Sequence, residues 1–437
     1  AIQAIRNGVA DVARKASDAE TISKVKEQAA ELLRDLPENA SRGLDAIVKT
    51  ATDTARGAID QGRESVLRWT QRQTELLVRC HNASGVLFSP FGTGIPVPDS
   101  VLGLGCDVMR GDSLDDDLRA RIDQSISKML DRDGHCVAVA CNLDAAVASL
   151  GVFADSRKMV MHRSQAIRLP SGTPLPDAFG DLPLHQCGGV QAIEPGDFDG
   201  IDRACVVLAD DGNHAVVPVD FGRHDVVTIA ILPIATIKQS IDSIESAESL
   251  LTSGIDLVVL PGGPVTGGTT AGILVGKEPL IESIRGHQRW NALTASDATA
   301  AMTLAAMIDS EESPLAVLIE TSEQNLRSRA ERLAMRLTAD ESINACQITD
   351  QPAQLVAGAR WKFPSRQIRI RHRTLSSENW ASRLIKQDPS VIASVMEDDL
   401  VIDLRWIPAS EDAQLAEALG SVRLDNDAPA ASDPAAS

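Results

Sequence analysis

The groups most able to do chemistry in this sequence surround one glycine loop. Leu260-Pro-Gly-Gly-Pro-Val-Thr-Gly-Gly-Thr-Thr-Ala-Gly272 joins two apolar stretches. Backbone amides in such a loop can cradle an anion, although glycines at these positions serve equally well for tight turns and a subunit contact. Two primary amines stand near such stretches, Lys238 after one and Lys277 after another, and a primary amine is what a Schiff base requires. Arg366-Gln-Ile-Arg-Ile-Arg-His-Arg373 alternates strictly. As a strand it puts Arg369, Arg371 and Arg373 on one face and Ile368, Ile370 and His372 on the other. A charged sheet surface or an acidic partner is the expectation there, ahead of phosphate.

Several other chemistries are absent. The seven cysteines (Cys80, Cys106, Cys136, Cys141, Cys187, Cys205 and Cys346) form no CxxC and no zinc-ligand spacing. They read as reduced thiols of a cytoplasmic protein, most of them small buried hydrophobes. The eight histidines make no HExxH pair, and no nucleophile elbow is present. Gly92-x-Gly94 and Gly103-x-Gly105 lack a third glycine and the strand–turn–helix setting of a nucleotide fingerprint. No stretch reads as a signal peptide or a membrane span. The sequence opens on Ala1 without a methionine, so a natural start further upstream is expected.

The elements that must position these groups follow from texture. At 437 residues with 43% hydrophobic content, the chain can build two or three cores. Tyrosine is absent, so Ala, Val, Ile and Leu must fill them. A net charge of −19 excludes a general nucleic-acid binder. The charge is uneven, since residues 1–80 carry 13 Lys/Arg against 12 Asp/Glu. Those residues read as helices, with Ile22, Val25, Ala29, Leu32, Leu33 and Leu36 at helical spacing. From residue 82 the pattern changes. Val137–Ala140, Lys158–Met161, Ala204–Leu208, Val226–Leu232 and Leu257–Leu260 are apolar without alternation, the mark of a parallel sheet covered on both faces. Helices are predicted at Asp115–Leu130, Leu143–Leu150 and Ile241–Leu251. A smaller α+β segment follows from about Pro314, with a helix Leu326–Leu337, the basic strand, a helix near Trp380–Ile385, strands Val391–Val395 and Leu400–Leu404, and a helix Asp412–Leu419. The Ala, Pro, Ser and Asp of the last residues predict a disordered tail.

Three stretches carry a resemblance to the bacterial selenocysteine synthase (L-seryl-tRNA(Sec) selenium transferase) family. Leu260–Ile281 resembles the family's Ser-Gly-Asp-Lys-Leu-Leu-Gly-Gly-Pro-Gln-Ala-Gly-Ile-Ile-Val-Gly loop. Asn82-Ala-Ser-Gly-Val-Leu-Phe88 is similar to the strand that opens its large domain. Ser390-Val-Ile-Ala-Ser-Val-Met-Glu-Asp-Asp-Leu-Val-Ile-Asp-Leu-Arg405 is similar to the end of its small domain, and Leu32-Leu-Arg-Asp-Leu-Pro37 to its N-terminal segment. The resemblance implies an α/β fold: an aspartate-aminotransferase-like three-layer α/β/α large domain, a small C-terminal α+β domain and an N-terminal helical domain. The boundaries expected are 1–80 helical, 81–312 large, 313–424 small and 425–437 tail. It further implies a pyridoxal phosphate cofactor and at least a dimer.

Matched residue by residue, the resemblance breaks at the functional positions. Gly267-Gly268 aligned on the family's Gly-Gly puts Pro264 where its Schiff-base lysine stands and Gly263 where the preceding Asp stands. The ring-nitrogen carboxylate falls on Ile229 or Ala230, after Val226-Val-Thr228. The phosphate turn falls on Cys141–Asp144, where Asn142 alone keeps a useful amide. The His-Thr-Asn-Leu-Gly-Arg segment falls on Ser89–Thr93, and the substrate-anion arginines fall on Asn291 and Thr294. The expectation is a pseudoenzyme without cofactor, whose pocket remnant is Asn142, Gly267, Gly268 and Thr269, acting by binding, scaffolding or regulation with itself or a protein partner. Two alternatives stand beside it: an active pyridoxal-phosphate transferase or lyase using a displaced lysine such as Lys238, and a non-catalytic tRNA binder using residues 1–80.

Overall fold

The computed structural model describes residues 78–420 apart from 112–116, 192, 195, 220, 222–224 and 311–312. The helices expected within residues 1–80 and the tail lie outside the described residues, except for Val78 to Cys80. The chain divides into two units after Val78, and the described strands and helices all belong to the second, Arg79–Ser437.

Strand β1 (Cys80–Ala83) is followed by β2 (His135–Ala140), β3 (Lys158–His162), β4 (Leu184–Cys187), β5 (Ala204–Ala209), β6 (Val226–Ile231), β7 (Leu257–Pro261) and β8 (Gly272–Lys277). The last seven form one sheet in the order β2-β8-β7-β6-β5-β3-β4. Only β8 runs against its neighbours. Each of the five predicted apolar runs is one of these strands. The reason is visible in β5, where Ala204, Val206 and Leu208 enter one core while Cys205, Val207 and Ala209 enter the other. A strand's side chains alternate between faces, so a sheet buried on both sides needs an unbroken apolar run.

A second sheet collects β9 (Ile343–Thr349), β12 (Gln367–His372), β13 (Ser390–Met396) and β14 (Asp399–Asp403), while β10 (Ala353–Gln354) and β11 (Lys362–Phe363) make a small hairpin between. The order of this sheet is β1-β13-β14-β12-β9. The strand at Asn82, expected to open the large domain, thus belongs to the smaller sheet and runs parallel to β13. Its Ala83 is fully buried in the smaller sheet's core, and a strand whose partner begins only at Ser390 leaves no local trace of the pairing in sequence. The basic strand behaves as its alternation predicts. Ile368 and Ile370 are buried, and Arg369 and Arg371 pair with Glu397 and Asp399 of the neighbouring turn and strand. Arg405, 2% exposed, ties this sheet to the helix Pro314–Glu320 by donating to the carbonyls of Leu318 and Thr321 at 2.9 and 2.8 Å.

One helix is not legible in the sequence. Asp99–Arg110 contains Gly103 and Gly105, residues that weaken a helix by about 1 kcal/mol each relative to Ala. A Cβ on Gly105 would lie 2.6 Å from Met302, so the glycine permits close packing on the helix Asp297–Ile308. Among the described residues no helix is long and apolar enough to cross a membrane, and no three His, Cys, Asp or Glu side chains are grouped to hold a metal ion.

The sheet makes thiol reactivity a test of the fold. Burial pushes the Cys205 thiol up to about 12, whereas Cys106 and Cys141 are exposed. A thiol reagent at mildly alkaline pH is expected to modify Cys106 and Cys141 in the native protein and to reach Cys205 only after unfolding. Mass mapping of the labelled peptides reads this, and native labelling of Cys205 would contradict the placement of β5.

Candidate functional site

A cavity of about 670 Å³ opens at the carboxyl ends of β3, β5 and β6, the edge at which open α/β sheets bind ligands. Its wall is built from five short segments. Phe88, Ser89 and Thr93 follow β1; Ile167 and Arg168 follow β3; Asp210–Asn213 follow β5; Pro233 and Ile234 follow β6; Val356–Ala359 and Trp361 come from the hairpin between the two sheets.

The strongest interaction in this wall is the ion pair between Asp210, 1% exposed, and Arg360. The guanidinium donates to both carboxylate oxygens, NH1 to Oδ1 and NH2 to Oδ2, each at 2.6 Å. Arg360 also stacks on Trp361, 4.3 Å from the ring centroid, and its backbone N–H donates to the Gly212 carbonyl at 2.8 Å. Gly212 in turn donates to Asp210 Oδ1 at 2.8 Å, in a left-handed conformation (φ +84°) that suits glycine. The adjacent Asp211 accepts from the N–H groups of Asn213 and His214 and from the His214 ring. Burial pushes its carboxyl up, but these hydrogen bonds outweigh burial and leave it below the usual carboxylate range. Glu245 moves the other way, raised by burial and then by Asp210, with Arg360 opposing. Its Oε2 and the Trp361 indole N–H are buried without a hydrogen-bond partner among the described residues, a condition rare enough in folded proteins to mark a place.

The residues singled out from the sequence fall differently. Ser89 and Thr93 line the cavity, but Asn142, Gly267, Gly268, Thr269 and Pro264 do not. Asn142 caps the helix Leu143–Ser149, its Oδ1 accepting from the Ala145 N–H at 2.8 Å. Asp144, in the first turn of that helix, accepts from the Ser171 and Thr173 hydroxyls at 2.9 and 2.8 Å. In the glycine loop, a Cβ on Gly263 would lie 2.3 Å from the Gly268 carbonyl oxygen, and one on Gly268 would lie 2.4 Å from that of Gly262. Close backbone approach therefore explains these glycines. Thr269 Oγ1 is buried and unpartnered among the described residues. Pro264 is half-buried just beyond β7. Ile229 and Ala230 are fully buried inside the sheet. Asn291 is exposed, and the Thr294 hydroxyl accepts from Arg119 at 2.9 Å.

Among the described residues no lysine lines the cavity. Burial raises the Glu248 carboxyl, and the charges of Lys238 and Arg132 draw it back. Lys277 pairs with Asp256 at the amino end of β7, the opposite edge of the sheet. Sequence reasoning misses Asp210 and Arg360. Asp210-Asp211-Gly212-Asn213 does carry a signal, a polar turn directly after an apolar strand. Arg360, 150 residues away, carries none.

The strand order and a superposition define the class. The solved structure of D-glucosaminate-6-phosphate ammonia-lyase matches with a TM-score of 0.58 at 14% identity, covering 80% of this chain and 97% of that one. The fold is that of the aspartate-aminotransferase-like, fold-type I pyridoxal-phosphate-dependent transferases. A sequence model of the family described as "SelA: L-seryl-tRNA selenium transferase" matches residues 237–408. The L-seryl-tRNA(Sec) selenium transferase of Aquifex aeolicus is 32% identical over 164 residues, which span 36% of each chain. That of Moorella thermoacetica is 25% identical over 313 residues, 64% of this chain and 66% of its own. That of Desulfomicrobium baculatum is 23% identical over 388 residues, 79% of this chain and 82% of its own. Over residues 237–408 the chain resembles the selenocysteine synthase family, and the likeness extends at lower identity over most of its length.

The ion pair can be tested by breaking it from one side. Arg360→Met leaves the Asp210 carboxylate buried and unpaired and is expected to lower unfolding stability by about 3 kcal/mol. Denaturant titration of Arg360→Met, Asp210→Asn and the double variant should show the double variant more stable than Arg360→Met. Strict additivity would show that the two side chains are not coupled.

Proposed function

We propose that this chain is a catalytically inactive member of the selenocysteine synthase family, a pseudoenzyme that acts by binding, scaffolding or regulation, self-associated at least as a dimer. One observation carries the reading. Pro264 stands beyond β7 where the resemblance expects the Schiff-base lysine, and among the described residues no lysine lines the cavity at the carboxyl edge.

The residues present do not fit pyridoxal phosphate. Its aldehyde needs a primary amine, and proline offers neither an amine nor a backbone N–H. Its ring nitrogen needs an anion, and the aligned positions are Ile229 and Ala230 inside the sheet core. Its phosphate needs donors, and the helix start at Asn142 carries the Asp144 carboxylate, already served by two hydroxyls. The reading of an active transferase requires a displaced lysine, yet neither Lys238 nor Lys277 lines the cavity, and Lys277 is paired with Asp256. The related proteins are named as acting on seryl-tRNA. A tRNA-binding role for this chain rests on residues 1–80, whose 13 Lys/Arg against 12 Asp/Glu make a weak polyanion site.

Incubation with pyridoxal phosphate followed by borohydride reduction is expected to trap no stoichiometric adduct on any lysine, as read by peptide mass mapping. A single lysine labelled in full would overturn the proposal. Pro264→Lys alone is expected to restore no turnover, because the ring-nitrogen and phosphate partners are missing as well.

A further inference from the structure

We infer that the cavity at the carboxyl edge of the sheet is a binding site for an organic cation, a primary amine carried on an apolar body. The inference rests on the reading that this cleft holds no pyridoxal phosphate, and it gives the site a ligand of the opposite charge.

Charge decides the class of ligand. The wall presents two neighbouring carboxylates, Asp210 and Asp211, whose side chains are 1% and 27% exposed. Arg360 neutralises Asp210, while the partner of Asp211 is His214, 77% exposed and charged only when protonated. At neutral pH Asp211 is therefore a carboxylate without a permanent counter-charge among the described residues. Its Oδ1 accepts two hydrogen bonds from them but its Oδ2 only one, from the His214 ring, and a carboxylate oxygen has room for about two. Asp210 Oδ2 likewise accepts one, from Arg360.

Among the lining residues the one cationic side chain is Arg168, which is exposed and donates to the Gly172 carbonyl. Water screens an exposed charge far more than a buried one, by roughly a factor of 4 between effective dielectric constants of about 80 and 20. Glu245 is not part of the lining; its carboxyl is raised by burial first and by Asp210 second, with Arg360 opposing. The rest of the lining is mainly apolar or aromatic, including Phe88, Ile234, Val356 and Trp361. Such walls bury a hydrocarbon body and favour a cation near a ring face. The net charge of −19 on the chain adds a field of the same sign.

Isothermal titration of the full chain at low ionic strength with four probes of one shape tests this: phenethylamine, 3-phenylpropionate, phenylalanine and ethylbenzene. Phenethylamine is expected to bind saturably at one site per chain and more tightly than the other three. Asp211→Asn, with an unchanged circular dichroism spectrum, should weaken it about tenfold. Arg168→Gln, which keeps both carboxylates, should leave it equal or tighter. Should Asp211→Asn disturb the loop, Arg168→Gln still discriminates, because an anion site would be weakened by it. Preference for 3-phenylpropionate or phenylalanine, no saturable heat with phenethylamine, or an unaltered affinity in a folded Asp211→Asn protein would each overturn the inference. Those failures leave the borohydride result untouched, and a labelled lysine there would sink the pseudoenzyme reading without reference to phenethylamine.

Discussion

The hold of Arg360 on Asp210 decides what kind of space this molecule encloses. A carboxylate 1% exposed at the end of β5 is costly unless its charge is met. Here it is met by two parallel hydrogen bonds of 2.6 Å from a hairpin that belongs to neither sheet. Arginine suits this role because its planar fork matches both oxygens at once. The same residue adds a backbone bond to Gly212 and a stacked contact with Trp361. These contacts bring residues 356–361 over the carboxyl edge of the sheet.

Most of the scaffold can be read from residue patterns, and physics says why. Strands buried on both faces must be apolar throughout, so Ala204–Ala209 and Leu257–Pro261 announce themselves. Helices of the smaller sheet's layer follow from spacing, as with Glu323–Thr338, which buries Leu326, Ala330, Leu333 and Leu337. What escapes reading depends on distant partners. Asp99–Arg110 looks broken by its glycines until Met302 supplies the reason for one of them. Asn82 lies in the smaller sheet, contrary to expectation, because its strand partner begins at Ser390. The cavity is hardest of all, since five segments compose it and only the first of them, Phe88, Ser89, Pro90 and Thr93, comes from stretches that sequence reasoning singles out.

The glycine loop is held by packing rather than by any role in the cavity. Gly262, Gly263 and Gly268 sit where any Cβ would meet backbone at under 3 Å. Val265 lies in a buried cluster with Leu87, Ile234 and Leu315, and the Thr266 hydroxyl closes the turn onto the Gly262 carbonyl. Packing therefore accounts for these glycines. Likeness of the loop is a statement about folding and carries no information about whether an amine is present.

The first turn of the helix Leu143–Ser149 limits what can dock against it. Its amino end, where the backbone dipoles leave partial positive charge, is already claimed by Asn142 from inside and by the Asp144 carboxylate with Ser171 and Thr173. An incoming anion would have to displace a carboxylate whose two hydroxyl partners would then be stranded. The turn is thus a self-saturated cap: its own acid and two hydroxyls occupy the place that a solute would otherwise take.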